Sequence, residues 1–427
     1  MQRTTDSVIP FQMPAQMPVQ SSNPRIFLSA GEASGEHYGA LLMQAIREHL
    51  PQASFFGLGG LEMGAAGMQR VVKAEQVAVM GITEVLRHAP RIYGEYRRLV
   101  RSIQQQRPDV AVLIDFPDVN LRLARELKAL GVPVIYFVSP QLWAWKKRRI
   151  RWVQERVSQM LVIFPFEETF YRARGVDARF VGHPLAELPL PGISREALAA
   201  QYGLNPARHW IALLPGSRRK EVKLNLPGML QTAALLGEEY EFLLPVASTL
   251  RHEAIAALML AYQSFGIGSA ARLHLVDDAR AALFHARASV VASGTATVQA
   301  AVIGNPFLVV YRVSGLTYKL ARRLVSYPPE IPAEPDKLGN VPVAMVNLIA
   351  GRRIVPELLQ QEFTGRKVVA HLQPLLAETE TRRTMQQDLA QVRRALQMPV
   401  CAPPLGEPAG LHPIQQVCQA VLQHLGR

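Results

Sequence analysis

The sequence predicts an α/β protein of two Rossmann-like doubly wound domains facing a cleft, with C-terminal helices. Three observations carry this. Short apolar runs rich in Val, Ile, Leu and Phe alternate with longer amphipathic segments, the pattern of strands buried on both faces between helices. The alternation comes in two sets, separated by the proline-rich stretch HPLAELPLPG at 183–192. The glycine- and hydroxyl-rich motifs fall directly after strand candidates, where open α/β sheets hold their ligands.

In chain order, residues 1–23 hold Pro10, Pro14 and Pro18 among Gln and Ser, which interrupt any signal-peptide apolar region, so a disordered tail is expected. The first domain, 24–187, has strand candidates at 25–30, 53–56, 109–114, 133–137, 159–164 and 179–181, with helices such as 35–49, 90–106 and 118–130 between them. The second, 188–375, has strand candidates at 209–214, 240–244, 271–275, 288–291 and 307–310. Strand signals stop beyond residue 355; 364–397 and 411–425 read as helices around a Pro- and Gly-containing stretch at 399–410, so 376–427 form a helical C-terminus.

Composition excludes several classes. With 427 residues, 49% hydrophobic and 19% charged, the chain is not wholly disordered. Its two cysteines, Cys401 and Cys418, cannot build a disulfide scaffold or a Cys-based zinc site, and they point to a reducing compartment. No apolar run approaches the length of a bilayer span. Lys plus Arg number 47 against 34 Asp plus Glu, a net +13, which predicts an anionic partner: nucleic acid, a phosphorylated substrate or a lipid surface. No nucleic-acid reading module accompanies the charge, so nucleic acid is the weakest of the three.

Five motifs stand at strand ends. SAGEASGEHYG (29–39) opens a helix after a strand; Gly31 and Gly35 permit a tight turn, and Glu32 and Glu36 can orient sugar hydroxyls, although a plain turn with a helix cap explains the motif equally. In LIDFPDVN (113–120), Asp115 follows four apolar residues, and desolvation there raises a carboxyl toward general-base range. Asp118 beyond Pro117 reads as a helix N-cap. VSPQLWAWKKRRIRW (138–152) sets Trp143, Trp145 and Trp152 among Lys146, Lys147, Arg148, Arg149 and Arg151, which suits a lipid–water interface, stacking on single-stranded nucleic acid, or a solvated basic face over buried tryptophans. In LLPGSRRKEV (213–222), Gly216 and Ser217 supply a turn and Arg218 a guanidinium fork for a diphosphate, against the plainer reading of a capped helix. In ASGTATVQA (292–300), Ser293, Gly294 and Thr295 set amides and hydroxyls at a helix start, with Gln299 one turn on. His183, in VGHPL, reads as a ligand contact or a structural residue. There is no Walker A, DxD or HExxH pattern, so a metal-independent chemistry without a cofactor is expected.

These motifs in this order resemble the lipid-A-disaccharide synthase family, inverting glycosyltransferases of GT-B architecture. The resemblance runs from about residue 25 to about residue 380 and includes AGEASGE, AVMGITEVL (78–86), YFVSPQLWAW (136–145), FPFEETFY (164–171), VGHPL, LLPGSR, ASGTAT and NLIAGRRIVPELLQ (347–360). It implies a UDP-2,3-diacylglucosamine donor, a 2,3-diacylglucosamine 1-phosphate acceptor, and a β-1,6-linked disaccharide 1-phosphate plus UDP as products. It implies a protein peripheral at the inner face of the cytoplasmic membrane, on anionic lipids, and a homodimer whose C-terminal helices cross back or exchange between subunits. Asp115 then matches the family's essential base, with Glu32 positioning the acceptor or transferred sugar. Arg218 would neutralise the leaving diphosphate, aided by Gly216, Ser217, Gly294 and Thr295. Asn347 would contact the nucleotide or its phosphates. Ser293 and Gln299 would complete the donor side, and Glu36, Asp118, Asn120 and Ser139 the acceptor side with the tryptophan–cation stretch. Two departures accompany the match: the family usually has aspartate at Glu36 and glutamate at Gln299. The rival readings are another UDP-sugar enzyme of the same architecture, such as a lipid-linked transferase or a UDP-GlcNAc 2-epimerase, and a non-catalytic basic binding protein.

Overall fold

The computed structural model describes residues 23–76, 82–247, 250, 255–256, 258–260, 272–397 and 412–426. Residues 1–22 of the expected tail, the whole 399–410 connection and the start of the AVMGITEVL motif lie outside the described residues.

Two all-parallel sheets form the framework. The first holds β1 (Arg25–Ala30), β2 (Ser54–Gly59), β3 (Gln69–Lys73), β4 (Val110–Ile114), β5 (Val134–Phe137), β6 (Gln159–Val162) and β7 (Ala178–Phe180), in the order β3-β2-β1-β4-β5-β6-β7. The second holds β8 (His209–Leu214), β9 (Tyr240–Pro245), β10 (Arg272–Val276), β11 (Ala288–Ala292), β12 (Phe307–Tyr311) and β13 (Glu357–Leu359), in the order β10-β9-β8-β11-β12-β13. In each sheet the winding reverses once, between β1 and β4 and between β8 and β11. Register sets Ala30 beside Ile114 and Leu214 beside Val291, so these neighbouring strands end level with one another. A crevice opens at such a reversal because the helices on either side leave in opposite directions.

The central strands are the continuous apolar runs. All five residues of VAVLI in β4 are buried, since helices cover both faces of the sheet. Two strands escaped the apolar pattern. β3 (QRVVK) is an edge strand with exposed polar ends, and β13 (ELL) is only three residues long. Strand structure therefore continues past residue 355. The helical stretch after 364 is two helices, Gly365–Leu376 and Glu380–Leu396, broken where the Thr379 hydroxyl caps the second by accepting from the Arg382 N–H at 3.2 Å.

The chain then returns to the first domain. The Leu396 carbonyl accepts from the His183 N–H at 2.8 Å, and the helix Pro413–His424 packs on the helix Ala33–His49. Ile414, Val417, Cys418 and Val421 are buried there, in one apolar cluster with Leu42, Met43 and Ile46. In Val417→Asp a carboxylate replaces a fully buried side chain at this seam. Urea unfolding is expected to register a loss of roughly 3 kcal/mol or more, because burying an unpaired charge is among the few single changes that destabilise on that scale.

Candidate active site

The chain leaves β1 through Gly31 and Glu32 into the helix Ala33–His49, and leaves β4 through Asp115 and Phe116 into the helix Pro117–Ala129. Asp115 and Phe116 are both left-handed, at φ +46° and +49°. Residues with a Cβ adopt this region only at a cost of about 1–3 kcal/mol each. Buried Asn120 holds the turn. Its Nδ2 donates to the carbonyls of Asp115 (2.8 Å), Ile114 (3.1 Å) and Ser29 (3.3 Å), and its Oδ1 accepts from the Ser29 hydroxyl at 2.6 Å. The Tyr136 hydroxyl donates to the Asp115 carbonyl at 2.6 Å. Gly31 completes the fit, because a Cβ there would lie 2.5 Å from the Phe116 ring. Asn120 is thus a backbone clamp rather than an acceptor contact.

Burial pushes the Asp115 carboxyl up to about 6, and the negative charge of Glu32 adds to the rise. The Phe116 N–H and the positive charge of Arg218 pull the other way. Asp118 is not the N-cap; that position is Phe116, with Pro117 following. Asp118 pairs with Arg149 at 2.5 Å and Lys146 at 3.5 Å. Burial opposes its ionisation, but the Arg149 hydrogen bond and the two cations outweigh it and hold the carboxyl below its usual value.

Across the cleft, β8 ends at Leu214 and is followed by Pro215, Gly216 at φ +118°, Ser217 and Arg218. The amides of Ser217 and Arg218 are engaged by the Glu221 carboxylate at 3.1 and 3.3 Å, so this turn offers a guanidinium more than open amides. The Arg218 side chain is 69% exposed; it lies 3.3 Å from Glu221 and reaches over to Glu32 of the first domain at 3.6 Å. Beyond β11, the Ser293 N–H donates to Val310 and its hydroxyl to the Val343 carbonyl. Gly294, at φ +151°, leads into the helix Thr295–Ile303, whose first-turn amides at Thr295 and Ala296 have no intrahelical acceptor. Gln299 is half-buried one turn on.

Asn347 departs from its expected role. It is fully buried; its Nδ2 donates to Val355 O and Glu357 Oε1, and its Oδ1 accepts from the N–H groups of Ile354 and Val355. With its amide bonded on both sides, it fastens the 353–357 turn and keeps no donor or acceptor free for a nucleotide. Glu36 also turns inward: it accepts from the Glu62 N–H at 2.7 Å and serves the start of the helix Leu61–Ala65.

The tryptophan–cation stretch divides. Trp143 is 1% exposed, and its Nε1–H donates to Glu167 at 3.0 Å beside the Ser139 hydroxyl at 2.7 Å. Both residues are internal anchors rather than interfacial ones, and the Trp143 ring stands 5.6 Å from Tyr327 of the second domain. Trp145 is 45% exposed under Lys146, while Arg148 and Arg151 are exposed. Lys147 donates to Ser326 of the second domain at 2.7 Å. Buried His183, its ring driven down to about 3 by desolvation, accepts from the Leu185 N–H and is structural.

Sequence reasoning missed three carboxylates that hold the site: Glu167, Glu221 and Glu357. Glu167 and Glu221 stand in the first turns of the helices Pro165–Arg172 and Arg219–Leu236 and accept from the N–H groups of Phe164 and Arg218, so an acidic residue at a helix start is their signal. Glu357 pairs with Arg353 four residues before it, but its bonds to the 343–347 segment have no local sequence signature. Glu167 is raised to about 7 by burial despite its three donors.

The arrangement sets a desolvated carboxyl against an exposed guanidinium across a cleft. Such a pair can accept a proton from a hydroxyl on one side and neutralise an anionic leaving group on the other. Asn120→Ala would remove the donor shared by the carbonyls of Ser29, Ile114 and Asp115, leave the buried Ser29 hydroxyl without its acceptor, and leave Tyr136 as the remaining side-chain donor on the Asp115 carbonyl of the strained turn. A loss of about 2–4 kcal/mol in thermal or urea unfolding is expected, since each stranded buried group costs about 1–3 kcal/mol.

The family model described as lipid-A-disaccharide synthetase matches residues 26–402. A lipid-A-disaccharide synthase of Acidobacterium capsulatum is 58% identical over 386 residues, covering 89% of this chain and 93% of the relative. That of Koribacter versatilis is 50% identical over 374 residues, covering 87% and 93%. Among solved structures, the calicheamicin glycosyltransferase CalG4 aligns with TM-score 0.56 at 13% identity, covering 95% of this chain and 99% of that one. A UDP co-structure of S. aureus MnaA aligns with TM-score 0.59 at 11% identity, covering 94% and 97%. At these identities the structural likeness establishes the two-domain GT-B fold alone. The family model and the close relatives establish more: the chain belongs to the lipid-A-disaccharide synthase family, glycosyltransferases of lipid A biosynthesis.

Proposed function

We propose that the chain transfers 2,3-diacylglucosamine from its UDP derivative to 2,3-diacylglucosamine 1-phosphate, with inversion and without a metal. The observation that carries this reading is Asp115, its carboxyl raised to about 6, opposite Arg218. Asp115 takes the proton of the acceptor's attacking hydroxyl. That oxygen forms the new bond to the anomeric carbon as the bond to UDP breaks on the opposite face. The bonding electrons leave with UDP, whose diphosphate Arg218 neutralises with the first-turn amides of Thr295 and Ala296. Glu32, now the partner of Arg218, is released to meet a sugar hydroxyl.

We read the protein further as peripheral on the inner face of the cytoplasmic membrane. Exposed Trp145 beside Lys146, Arg148 and Arg151 supports this, and no helix among the described residues is long and apolar enough to cross a membrane. A homodimer with exchanged C-terminal helices fits the same reading. The helix Pro413–His424 follows a connection at 397–412 and docks through an apolar face that a second copy can supply equally. Light scattering in detergent gives the mass that tests it.

The deciding experiment is a transferase assay in detergent micelles with acylated and deacylated UDP-glucosamine donors. Disaccharide 1-phosphate is expected from the acylated donor. Formation of ManNAc from UDP-GlcNAc alone would select an epimerase instead. Asp115→Asn is expected to lower kcat by about 10²–10⁴, the usual worth of a general base. Activity should rise with pH through about 6 as Asp115 ionises. Stability should move oppositely. The folded state holds this proton more tightly than the unfolded chain, so stability falls as pH rises from about 4 to about 6, and the whole penalty persists above that. A rise from 3.8 to about 6 corresponds to roughly 3 kcal/mol. Asp115→Asn, a neutral isostere, should therefore be slower by about 10²–10⁴ yet more stable than the parent at pH 8, as thermal unfolding would show. Arg218→Gln should lower kcat by about 10²–10³, the cost of losing one fixed electrostatic contact to the leaving group, with Arg218→Lys recovering part of it.

A further inference from the structure

A second basic–aromatic feature lies outside the cleft. The helices Ile82–Gln106, Pro117–Ala129 and Ile150–Arg156 enclose a groove of about 550 Å³ on the flank of the first domain. Five arginines line it, Arg97, Arg101, Arg122, Arg125 and Arg156, against a single carboxylate, Glu126. Glu126 is engaged by Arg125 at 2.8 Å. Among the described residues, Arg97, Arg101 and Arg122 have no carboxylate partner, and all three are exposed. Arg156 is tied to the Leu121 carbonyl at 2.9 Å. The arginines sit at helical spacings, 97 and 101 on one helix and 122 and 125 on the next, so they converge on one trough rather than spreading over the surface.

Three aromatic residues complete the lining. Tyr93 is 61% exposed, Tyr96 is half-buried, and the Trp152 ring has the guanidinia of Arg149 at 5.5 Å and Arg156 at 4.7 Å from its centroid. Guanidinium forks favour phosphate, which they engage through paired N–H donors. Tyrosine and tryptophan favour the boundary between headgroup and acyl chain. A free inorganic anion would use the arginines and leave the aromatic rings without a role. Trp152 ends the same stretch that carries exposed Trp145, so groove and loop lie on one continuous basic run of chain.

We propose that this groove holds the phosphate of a single membrane phospholipid, with the tyrosines and tryptophan against its glycerol–acyl boundary. It is a second lipid site, distinct from the cleft, and it sets how the molecule lies on the bilayer. The choice of a membrane lipid as occupant rests on the peripheral reading above; the groove and its charge do not.

The test is flotation with phosphatidylcholine vesicles with and without phosphatidylglycerol, together with the micellar transferase assay. Each arginine beside an anionic surface is worth about a fivefold change in partitioning, so the triple variant R97Q/R101Q/R122Q should lose about a hundredfold on phosphatidylglycerol vesicles. Its micellar activity should equal that of the parent. R366Q/R383Q/R394Q, three exposed arginines of the second domain and the C-terminal helices with the same charge change, should lose far less. Equal loss in both triples, or no loss in the first, overturns the site, since the attraction is then diffuse or lies elsewhere. Displacement of the protein by millimolar inorganic phosphate as effectively as by phosphatidylglycerol also overturns it, by assigning the groove to a small anion. If the parent itself does not float, both the peripheral reading and the site fail. If it floats without transferase activity, only the catalytic reading fails.

Discussion

The chain leaves β4 through two successive left-handed residues, Asp115 and Phe116, and much of the site hangs on that turn. It lifts a carboxylate off the end of a fully buried strand and starts the helix Pro117–Ala129 immediately afterwards. Neither residue is a glycine, so the conformation persists only because neighbours over-determine it. Asn120, one turn into the helix, reaches back to three carbonyls, Tyr136 donates from β5, and the Phe116 ring lies where a Cβ at residue 31 would otherwise stand. The motifs after β1 and after β4 are therefore one construction. The glycine of the first makes room for the aromatic ring of the second, and the turn so formed presents a base at the reversal of strand order.

The opposite wall is built with less constraint. Arg218 is anchored by Glu221 and otherwise extends into solvent, with Glu32 as its partner across the cleft. An exposed ion pair of this length contributes little to stability, because water and salt screen it. That weakness suits a guanidinium that must exchange a carboxylate for a diphosphate. It also couples the two walls electrostatically, since Glu32 raises the Asp115 carboxyl while Arg218 lowers it. Further contacts between the domains, among them Trp143 against Tyr327, Lys147 with Ser326, the Ser326 N–H with the Ala144 carbonyl and Arg174 with Glu330 at 3.0 Å, hold the halves in register.

The central strands were legible in the sequence because burial on both faces imposes continuous apolar runs, and the sheets assemble from them in the expected winding. β3 and β13 were not legible, since an edge strand with polar ends and a three-residue strand leave no apolar signature. Among site residues, those presented by a strand end or by a glycine turn, Asp115 and Arg218, are where the motifs placed them. Asn120, Asn347, Glu36, Ser139 and Trp143 were read as contacts and are internal supports. A polar or amphipathic side chain beside a functional motif looks the same whether it faces the cleft or holds the residue that does. Only the folded contacts separate the two, and some of those partners lie far away in sequence, as Ser29 does from Asn120 and Glu167 from Trp143.

By itself, then, the sequence determined what local chemistry can encode: the alternation of strand and helix, the division into two domains, the glycines at strand ends, and a motif order specific enough to indicate the family. Tertiary structure alone decided which side chains face the cleft. Orientation depends on turns such as Asp115–Phe116, on hydrogen bonds spanning about ninety residues, and on how closely one domain approaches the other. It also decided the charge environment of the base, because a pKa depends on burial and on the positions of Glu32 and Arg218, which belong to different domains and meet only in the folded molecule.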